Sequence, residues 1–210
     1  GDQTTLACGF LADASGSSAT AIGSRSEATG SQATALGSEA SATGNTSTAI
    51  GSNSSASQLA STALGNTANA SGTSSTALGA GAAASGARSI AVGISSGVSG
   101  DDGTAIGAGA SVLEQEGTAL GVGARVGSTA DGGLALGLNA SVSQSSAVAL
   151  GAGSIASEAN TVSIGAPDSE RRIVHVADGT TDTDAATVGQ VNTVVNTAIS
   201  EANTYIAFNS

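Results

Sequence analysis

Apolar positions return along this chain with a period of fourteen residues. The tripeptide Ala-[Ile/Leu/Val]-Gly begins at Ala21, Ala35, Ala49, Ala63, Ala77, Ala91, Ala105 and Ala119 and, after a two-residue slip, at Ala135 and Ala149. Related tripeptides stand at Ala7-Cys8-Gly9 and Ser163-Ile164-Gly165. A short fixed period is typical of a stacked repeat protein in which each unit is one turn and neighbouring turns supply the core.

Each repeat predicts two short strands separated by turns. Alternation places Thr20 and Ile22 on one face of the first strand and Ala19 and Ala21 on the other. The threonine row is replaced by aliphatic residues in some repeats, so we expect it to face inward; the replacements are Ile90, Leu134, Val148 and Val162. The second strand carries a thinner apolar row at Ala28, Ala42, Ala56, Ala70, Ala84, Val98, Val112, Val126, Val142 and Ala156.

The glycine that closes each tripeptide predicts a turn with positive φ or with close backbone approach. A second glycine seven residues later is less strict, since Gln58, Glu114, Gln144 and Glu158 replace it. Parallel stacking at about 4.8 Å per turn gives an all-β solenoid with a thin core. We therefore expect lateral partner chains, approaching closely through glycine and alanine, and we expect the irregular insert at 127–130 to bulge from one turn.

A different pattern begins after Gly165. Apolar residues from Val188 onward follow heptad spacing, and Thr183 or Asp184 is a candidate helix cap. One register pairs Val188, Val195 and Ala202 with Val191, Ala198 and Tyr205; the other pairs them with Asn192, Ile199 and Ile206. The second register is favoured, because β-branched core residues favour three-stranded coils and Asn192 would fix the register. The predicted domains are head repeats at 1–166, a neck at 167–187 and the start of a stalk at 188–210.

The net charge of −11 argues against nucleic acid and anionic membrane as partners, because neither would attract such a surface. Residues 40–87 contain no charged side chain, so a ligand there would not be held by ion pairs. The single cysteine, Cys8, is predicted to be a buried small hydrophobe, because it occupies the Ile/Leu position of its repeat. No apolar stretch reaches the ~20 residues of a membrane span.

Candidate chemistry is sparse, and we predict that the chain is not an enzyme and holds no cofactor. His175 is the only histidine and lies among apolar residues, which favours a packed or hydrogen-bonded residue over a general base. Asp178, Asp182 and Asp184 have a spacing that suits a hard cation, but an acidic turn with a helix cap explains them as well. We predict no metal site.

The stretches Thr20-Ala-Ile-Gly-Ser-Arg-Ser26 and Thr48-Ala-Ile-Gly-Ser-Asn-Ser54 resemble the head repeat of YadA-like trimeric autotransporter adhesins. The segments 172–179 and 184–192 are similar to the neck of that family, which leads into a coiled-coil stalk. The resemblance implies a left-handed parallel β-roll and a homotrimer held by its neck and stalk. We predict that the neck and trimer contacts are made by Arg172, His175, Asp184, Val188, Asn192, Val195, Ile199 and Ile206.

The resemblance further implies an adhesin head on a bacterial cell surface, anchored in the outer membrane by a region absent from this chain. The expected partners are host matrix proteins such as collagen, fibronectin or laminin, or another cell surface. We assign the ligand face to the polar residues that follow the strict glycines, which are Ser24, Arg25, Ser38, Glu39, Ser52, Asn53, Asn66 and Thr67. Two alternatives remain: a structural spacer that projects another domain, and an ice-binding solenoid, which requires the threonine row to face outward.

Overall fold

A computed structural model describes residues 4–208, so the first three residues of the predicted head and the last two of the predicted stalk lie outside it. The chain divides into two compact units after Glu170. The first unit is a parallel β-solenoid, which confirms the predicted fold class. The domain boundaries within the chain stay predictions, as does the left-handed winding.

Two parallel sheets form the solenoid within the described residues. The first sheet has twelve strands, at Leu6–Cys8, Thr20–Ile22, Thr34–Leu36, Thr48–Ile50, Thr62–Leu64, Thr76–Leu78, Ile90–Val92, Thr104–Ile106, Thr118–Leu120, Leu134–Leu136, Val148–Leu150 and Val162–Ser163. The second has ten, at Glu27–Ala28, Ser41–Ala42, Ser55–Ala56, Asn69–Ala70, Ala83–Ala84, Gly97–Val98, Ser111–Val112, Arg125–Val126, Ser141–Val142 and Ile155–Ala156. Each strand pairs with the equivalent strand of the next coil, for example Thr76 with Ile90.

The core of the coil is built from small side chains. Ala21, Ala35 and Ala49 are 0% exposed, and so are Ala28 and Ala42 on the second strands. Two further inward rows of alanine, serine and glycine complete the interior. Four inward positions per coil leave no room for larger residues except valine, so the interior is an alanine and serine core.

The predicted inward threonine row is wrong, because these side chains point out of the coil. Thr20 and Thr34 are half-buried. On the strand Thr34–Leu36, Leu36 is 43% exposed, whereas Ala35 is fully buried. The alanines therefore do not line a surface for partner chains, contrary to prediction. The outer face instead carries an aliphatic row, defined as Ile22, Leu36, Ile50, Leu64, Leu78, Val92, Ile106, Leu120, Leu136 and Leu150. Cys8 continues this row and is exposed, so its predicted burial is also wrong.

Valine enters the core only where a neighbouring position is glycine. A methyl group added to Gly117 would lie 2.8 Å from Cγ1 of Val112 and 2.9 Å from Cγ1 of Val126. Gly103 would meet Cγ1 of Val98 at 2.6 Å and Cγ1 of Val112 at 3.1 Å. Each valine thus fills the space that an alanine or serine side chain occupies in other coils.

Gly117→Ala is therefore expected to destabilise the head by about 1–3 kcal/mol through overpacking. Thermal or chemical unfolding of the single variant, of Val112→Ala and of the pair gives a double-mutant cycle. We expect the pair to be less destabilised than the sum of the two single changes, since the alanine at 117 then fills space that the valine vacated. Additive effects would contradict this account of the core.

The two extra residues of the insert lie in the second turn of their coil, and the core remains closed there. Thr118 pairs with Leu134 across sixteen residues instead of fourteen, yet Ala130 remains 0% exposed. The hydroxyl of Thr129 donates to the carbonyl oxygen of Ser143 at 2.6 Å, and the amide of Gly132 donates to that of Gln115 at 3.2 Å. Hydrogen bonds to adjacent coils thus hold the insert in place.

The second unit contains one helix within the described residues, α1 at Val188–Phe208. Its cap is Thr187, so the predicted caps Thr183 and Asp184 are wrong. The hydroxyl of Thr187 accepts from the amide of Gln190 at 3.2 Å, and the side-chain oxygen of Gln190 accepts from the amide of Thr187 at 3.0 Å. This reciprocal pair is a capping box. Among residues 4–208, no helix has the length and apolar character needed to cross a membrane.

Candidate ligand-binding corner

The backbone sets the geometry of the corner that follows each first-sheet strand. The closing glycines have φ between 110° and 141°, a region that side-chain-bearing residues rarely adopt. Two residues later the chain is left-handed, with φ of 54° at Arg25 and 59° at Glu39. The amide of Glu39 donates to the carbonyl oxygen of Ser24 at 2.9 Å, and the same bond recurs from coil to coil. Main-chain bonds therefore hold this corner in one shape whatever side chains it carries.

The structure places the eight predicted ligand-face residues on this corner in four successive coils. We define the polar ladder as Ser24, Arg25, Ser38, Glu39, Ser52, Asn53, Asn66 and Thr67. Arg25 forms an ion pair with Glu39. The side-chain amide of Asn53 donates to the hydroxyl of Ser52 at 3.1 Å, and that of Asn66 donates to the carbonyl oxygen of Ser52 at 3.2 Å. The ladder is thus one continuous polar edge.

The same corner becomes apolar in later coils, which sequence reasoning missed. Ile94, Val122 and Leu138 occupy the position of Ser24 and are 64%, 54% and 53% exposed. Phe10 occupies it in the first coil and is 72% exposed. The sequence contains this signal. When the repeats are aligned on their strict glycine, the residue that follows it changes from polar to apolar in the later repeats. Corners with polar residues at both positions are therefore confined to four coils.

The opposite corner, which follows each second-sheet strand, carries most of the head's charge. The guanidinium Nε of Arg88 donates to Oδ1 of Asp102 at 2.6 Å, and the amide of Ala87 donates to Oδ1 of Asp101 at 2.8 Å. The hydrogen bond from Arg88 holds the pKa of Asp102 below its ordinary value. Across the part of the chain that the structure describes, no group of three or more His, Cys, Asp or Glu side chains is arranged to hold a metal ion.

In the predicted neck, polar contacts converge on the start of α1. The side chain of Gln190 accepts from the amide of Gly179 at 2.9 Å and donates to its carbonyl oxygen at 2.8 Å. The hydroxyl of Thr187 donates to Oδ1 of Asp178 at 2.6 Å. Gln190 thus joins the loop to the helix cap, a role that the sequence pattern Thr-x-x-Gln could have revealed.

Asp184 closes the turn before the helix. Its Oδ2 accepts from the amides of Thr180 at 2.8 Å and Thr181 at 3.0 Å, and these backbone hydrogen bonds lower the pKa of Asp184. A lowered folded-state pKa means that the turn is stabilised above the unfolded value of about 3.9 and loses this stabilisation as the pH falls through the folded-state value.

We therefore expect the amide resonances of Thr180 and Thr181 to shift together in an NMR titration, with a midpoint below about 3.9. Asp184→Asn keeps an oxygen acceptor and removes the charge, so both amides should lose that shared titration. A midpoint at or above the ordinary aspartate value would contradict the assigned hydrogen bonds.

The other predicted neck and trimer residues are exposed in a single chain. His175 is exposed with a left-handed φ of 61°, and Arg172 is exposed as well. Asn192 is also exposed, and along α1 the exposed fractions are 77% for Val188, 48% for Val195, 53% for Ile199 and 63% for Ile206. Their role in a trimer stays a prediction.

Comparison with known proteins bears directly on the repeated corner. The family model described as YadA head domain repeat (2 copies) matches residues 14–40, 42–68, 56–82, 70–96, 84–110, 99–124, 128–154 and 143–166. The chain belongs to the YadA head family. The repeat resemblance inferred from sequence is thereby confirmed.

A solved structure is similar to this YadA-type head. The crystal structure of the collagen-binding domain of the Yersinia adhesin YadA is 26% identical, with a TM-score of 0.60. The match covers 93% of this chain and 99% of that chain. No curated protein sequence matches the chain.

Proposed function

We propose that this chain is the non-enzymatic head of a homotrimeric bacterial surface adhesin and that its polar ladder binds host matrix protein. The single observation that carries the proposal is the polar ladder itself, a fixed row of polar side chains on a YadA-type head, all exposed except the partly buried Ser24 and Ser52. Collagen is the first ligand to test, since the similar Yersinia domain is described as collagen-binding. Fibronectin, laminin and other cell surfaces are the alternatives.

The aliphatic row supports the trimer. Leu36, Leu64, Leu78, Ile106 and Leu120 are each 40–43% exposed and lie on successive or nearby coils of one sheet face. At about 4.8 Å per coil they form a continuous apolar stripe, a surface typical of a protein interface. Three identical chains that cover one another's stripes would also repeat each polar ladder three times, which raises avidity for an extended ligand.

The experiment that tests the proposal is analytical ultracentrifugation of residues 1–210, followed by binding of the same sample to collagen, fibronectin and laminin surfaces. The proposal expects a trimer that binds at least one of them. A trimer that binds none would contradict the matrix-protein assignment and favour another cell surface or a structural spacer. A folded monomer would contradict the proposed assembly.

The polar ladder makes a specific prediction for binding. Asn53→Lys together with Asn66→Lys should weaken matrix binding about tenfold, equivalent to about 1.4 kcal/mol, because both exposed side chains lie in the proposed contact. Thermal stability should be unchanged, since both side chains are exposed and Arg25 already occupies the left-handed position equivalent to Asn53 with a long cationic side chain. Surface-binding titrations and thermal melts measure the two effects.

Asn139→Lys is the matched control, because Asn139 is exposed at the same corner position with φ of 53° but lies outside the ladder. It should leave binding unchanged. Equal loss of binding and stability in the double variant, or loss of neither, would count against the ladder as the ligand face.

An ice-binding role is favoured by one observation, the outward direction of the threonine row. The aliphatic row beside it favours a protein interface over ordered water. The trimer that we propose would also cover the threonines. Thermal hysteresis of a monomeric sample would support the ice-binding alternative, and its absence would remove it.

A further inference from the structure

Two outward columns of the head change in size together from coil to coil. One is the threonine row, and the other is the corner column, defined as the residue that follows each strict glycine. The threonine row holds a residue larger than threonine or valine in three coils, at Leu6, Ile90 and Leu134. In those same coils, and in no other coil of the first sheet, the corner column holds phenylalanine, isoleucine or leucine, at Phe10, Ile94 and Leu138. The two columns are therefore coupled.

The coupled side chains do not cover each other within one chain. On each strand an aliphatic-row residue and the strict glycine lie between them. The corner side chains stay strongly exposed, with 72% for Phe10, 64% for Ile94 and 53% for Leu138, and in the threonine row Leu6 is 51% and Ile90 is 40% exposed. Apolar side chains that packed on each other would be buried. The surface that each of them fits therefore lies outside its own chain.

A trimer with threefold symmetry accounts for the coupling. All three chains then lie at the same height, so each coil meets the same coil of its neighbours, and every contact joins two different surfaces of the chain. The threonine row and the corner column lie on opposite sides of the aliphatic row. When three aliphatic rows face one another, the corner of one chain approaches the threonine row of the next. A large residue in one column then needs a matching residue in the other column at the same height.

We propose that the corner column is a contact between chains and that it packs against the threonine row of the neighbouring chain. At three heights along this seam, a large apolar corner side chain meets a large apolar side chain of the neighbour: Phe10 with Leu6, Ile94 with Ile90, and Leu138 with Leu134. The inference rests on the homotrimer of the proposed function, and it adds which two surfaces meet and in which register. The polar ladder lies between the first two heights, where smaller residues face each other.

The test is disulfide formation across the seam in the assembled 1–210 protein, with Cys8→Ser to remove the native thiol. Ile90→Cys with Ile94→Cys places one thiol on each side of the seam, and a disulfide requires Cα atoms within about 7 Å. We expect oxidation with diamide to give covalent trimers on a non-reducing gel, because each chain links to the next around the ring. Ile94→Cys with Gly97→Cys is the matched control and should give none. Gly97 lies on the second sheet, and a side chain added there meets nothing within 4 Å.

Mixed assemblies distinguish contact between two different surfaces from one surface that meets itself. Chains with only Ile90→Cys and chains with only Ile94→Cys, expressed together, should give covalent dimers, whereas either variant alone should give none. Links between identical positions, oxidation within single chains only, or a double variant that links no better than the control would overturn the inference in a sample that sediments as a trimer. A sample that sediments as a folded monomer before oxidation would instead contradict the homotrimer of the proposed function.

Discussion

Replacing Gly107 by alanine is expected to destabilise the head by at least about 4 kcal/mol, enough to prevent folding of many domains. Two effects combine at this position. The backbone has φ of 137°, and an added methyl group would fall against the carbonyl group of Gly121 in the next coil. Neither the backbone conformation at Gly107 nor the distance between coils can change without breaking the main-chain hydrogen bonds that join the coils. Circular dichroism and chemical denaturation measure the loss.

Gly109, two residues away in the same corner, provides the matched control. Its φ is 66°, and an added methyl group would meet nothing within 4 Å. Gly109→Ala should therefore cost only about 1–2 kcal/mol, the ordinary penalty for a left-handed residue. Comparable losses in the two variants would show that coil contact does not make the closing glycine strict.

Leu64→Asp with Leu78→Asp is expected to prevent trimer formation at micromolar protein concentration. Both side chains belong to the aliphatic row and are 41% and 40% exposed in one chain. Burying two carboxylates per chain in an apolar interface, six in a trimer, is strongly unfavourable without a partner charge. Sedimentation velocity should show a folded monomer, since the alanine core within each coil is unaltered.

Leu59→Asp is the control for surface hydrophobicity, because Leu59 is 53% exposed but lies on the opposite corner, outside the aliphatic row. It should still sediment as a trimer. In the predicted stalk, Ile199→Asp with Ile206→Asp tests the favoured register in the same assay. A trimer that survives the stalk change but not the head change would place the main contact in the head. A trimer in both variants would contradict the assignment of the aliphatic row as the trimer interface.

The sequence predicted the coil and the corner with the strict glycine, but it indicated the wrong face of the first-sheet strands as the buried one. The threonine position accepts isoleucine, leucine and valine, which suggested burial, yet Thr20 and its equivalents point outward. The size of the side chain at each repeat position was a better indicator of burial. Apart from Ser163 in the final repeat, alanine occupies the inward position at every repeat from Ala7 to Ala149, because a coil of two short strands is too narrow for a larger side chain there.

The other features depend to different degrees on local sequence patterns. The capping box at Thr187 and Gln190 follows a known four-residue pattern, whereas the predicted cap lay in the nearby acidic turn. The fourteen-residue period alone aligns the eight polar-ladder residues on one corner, and their role as a ligand face stays a prediction. The winding hand and the covering of the aliphatic row depend on packing between chains or coils, and no periodicity within one chain encodes them.

The direction of the hydrogen bonds between coils has a mechanical consequence. These bonds run along the stack, so a pull on the chain from the end of the last strand, Val162–Ser163, would load them one coil at a time. Each coil that peels away would release fourteen residues, roughly 45–50 Å of extended chain, in place of about 4.8 Å of folded length. Under tension the solenoid would lengthen in steps of one coil and dissipate energy at each one, protecting the attachment beyond it from sudden load.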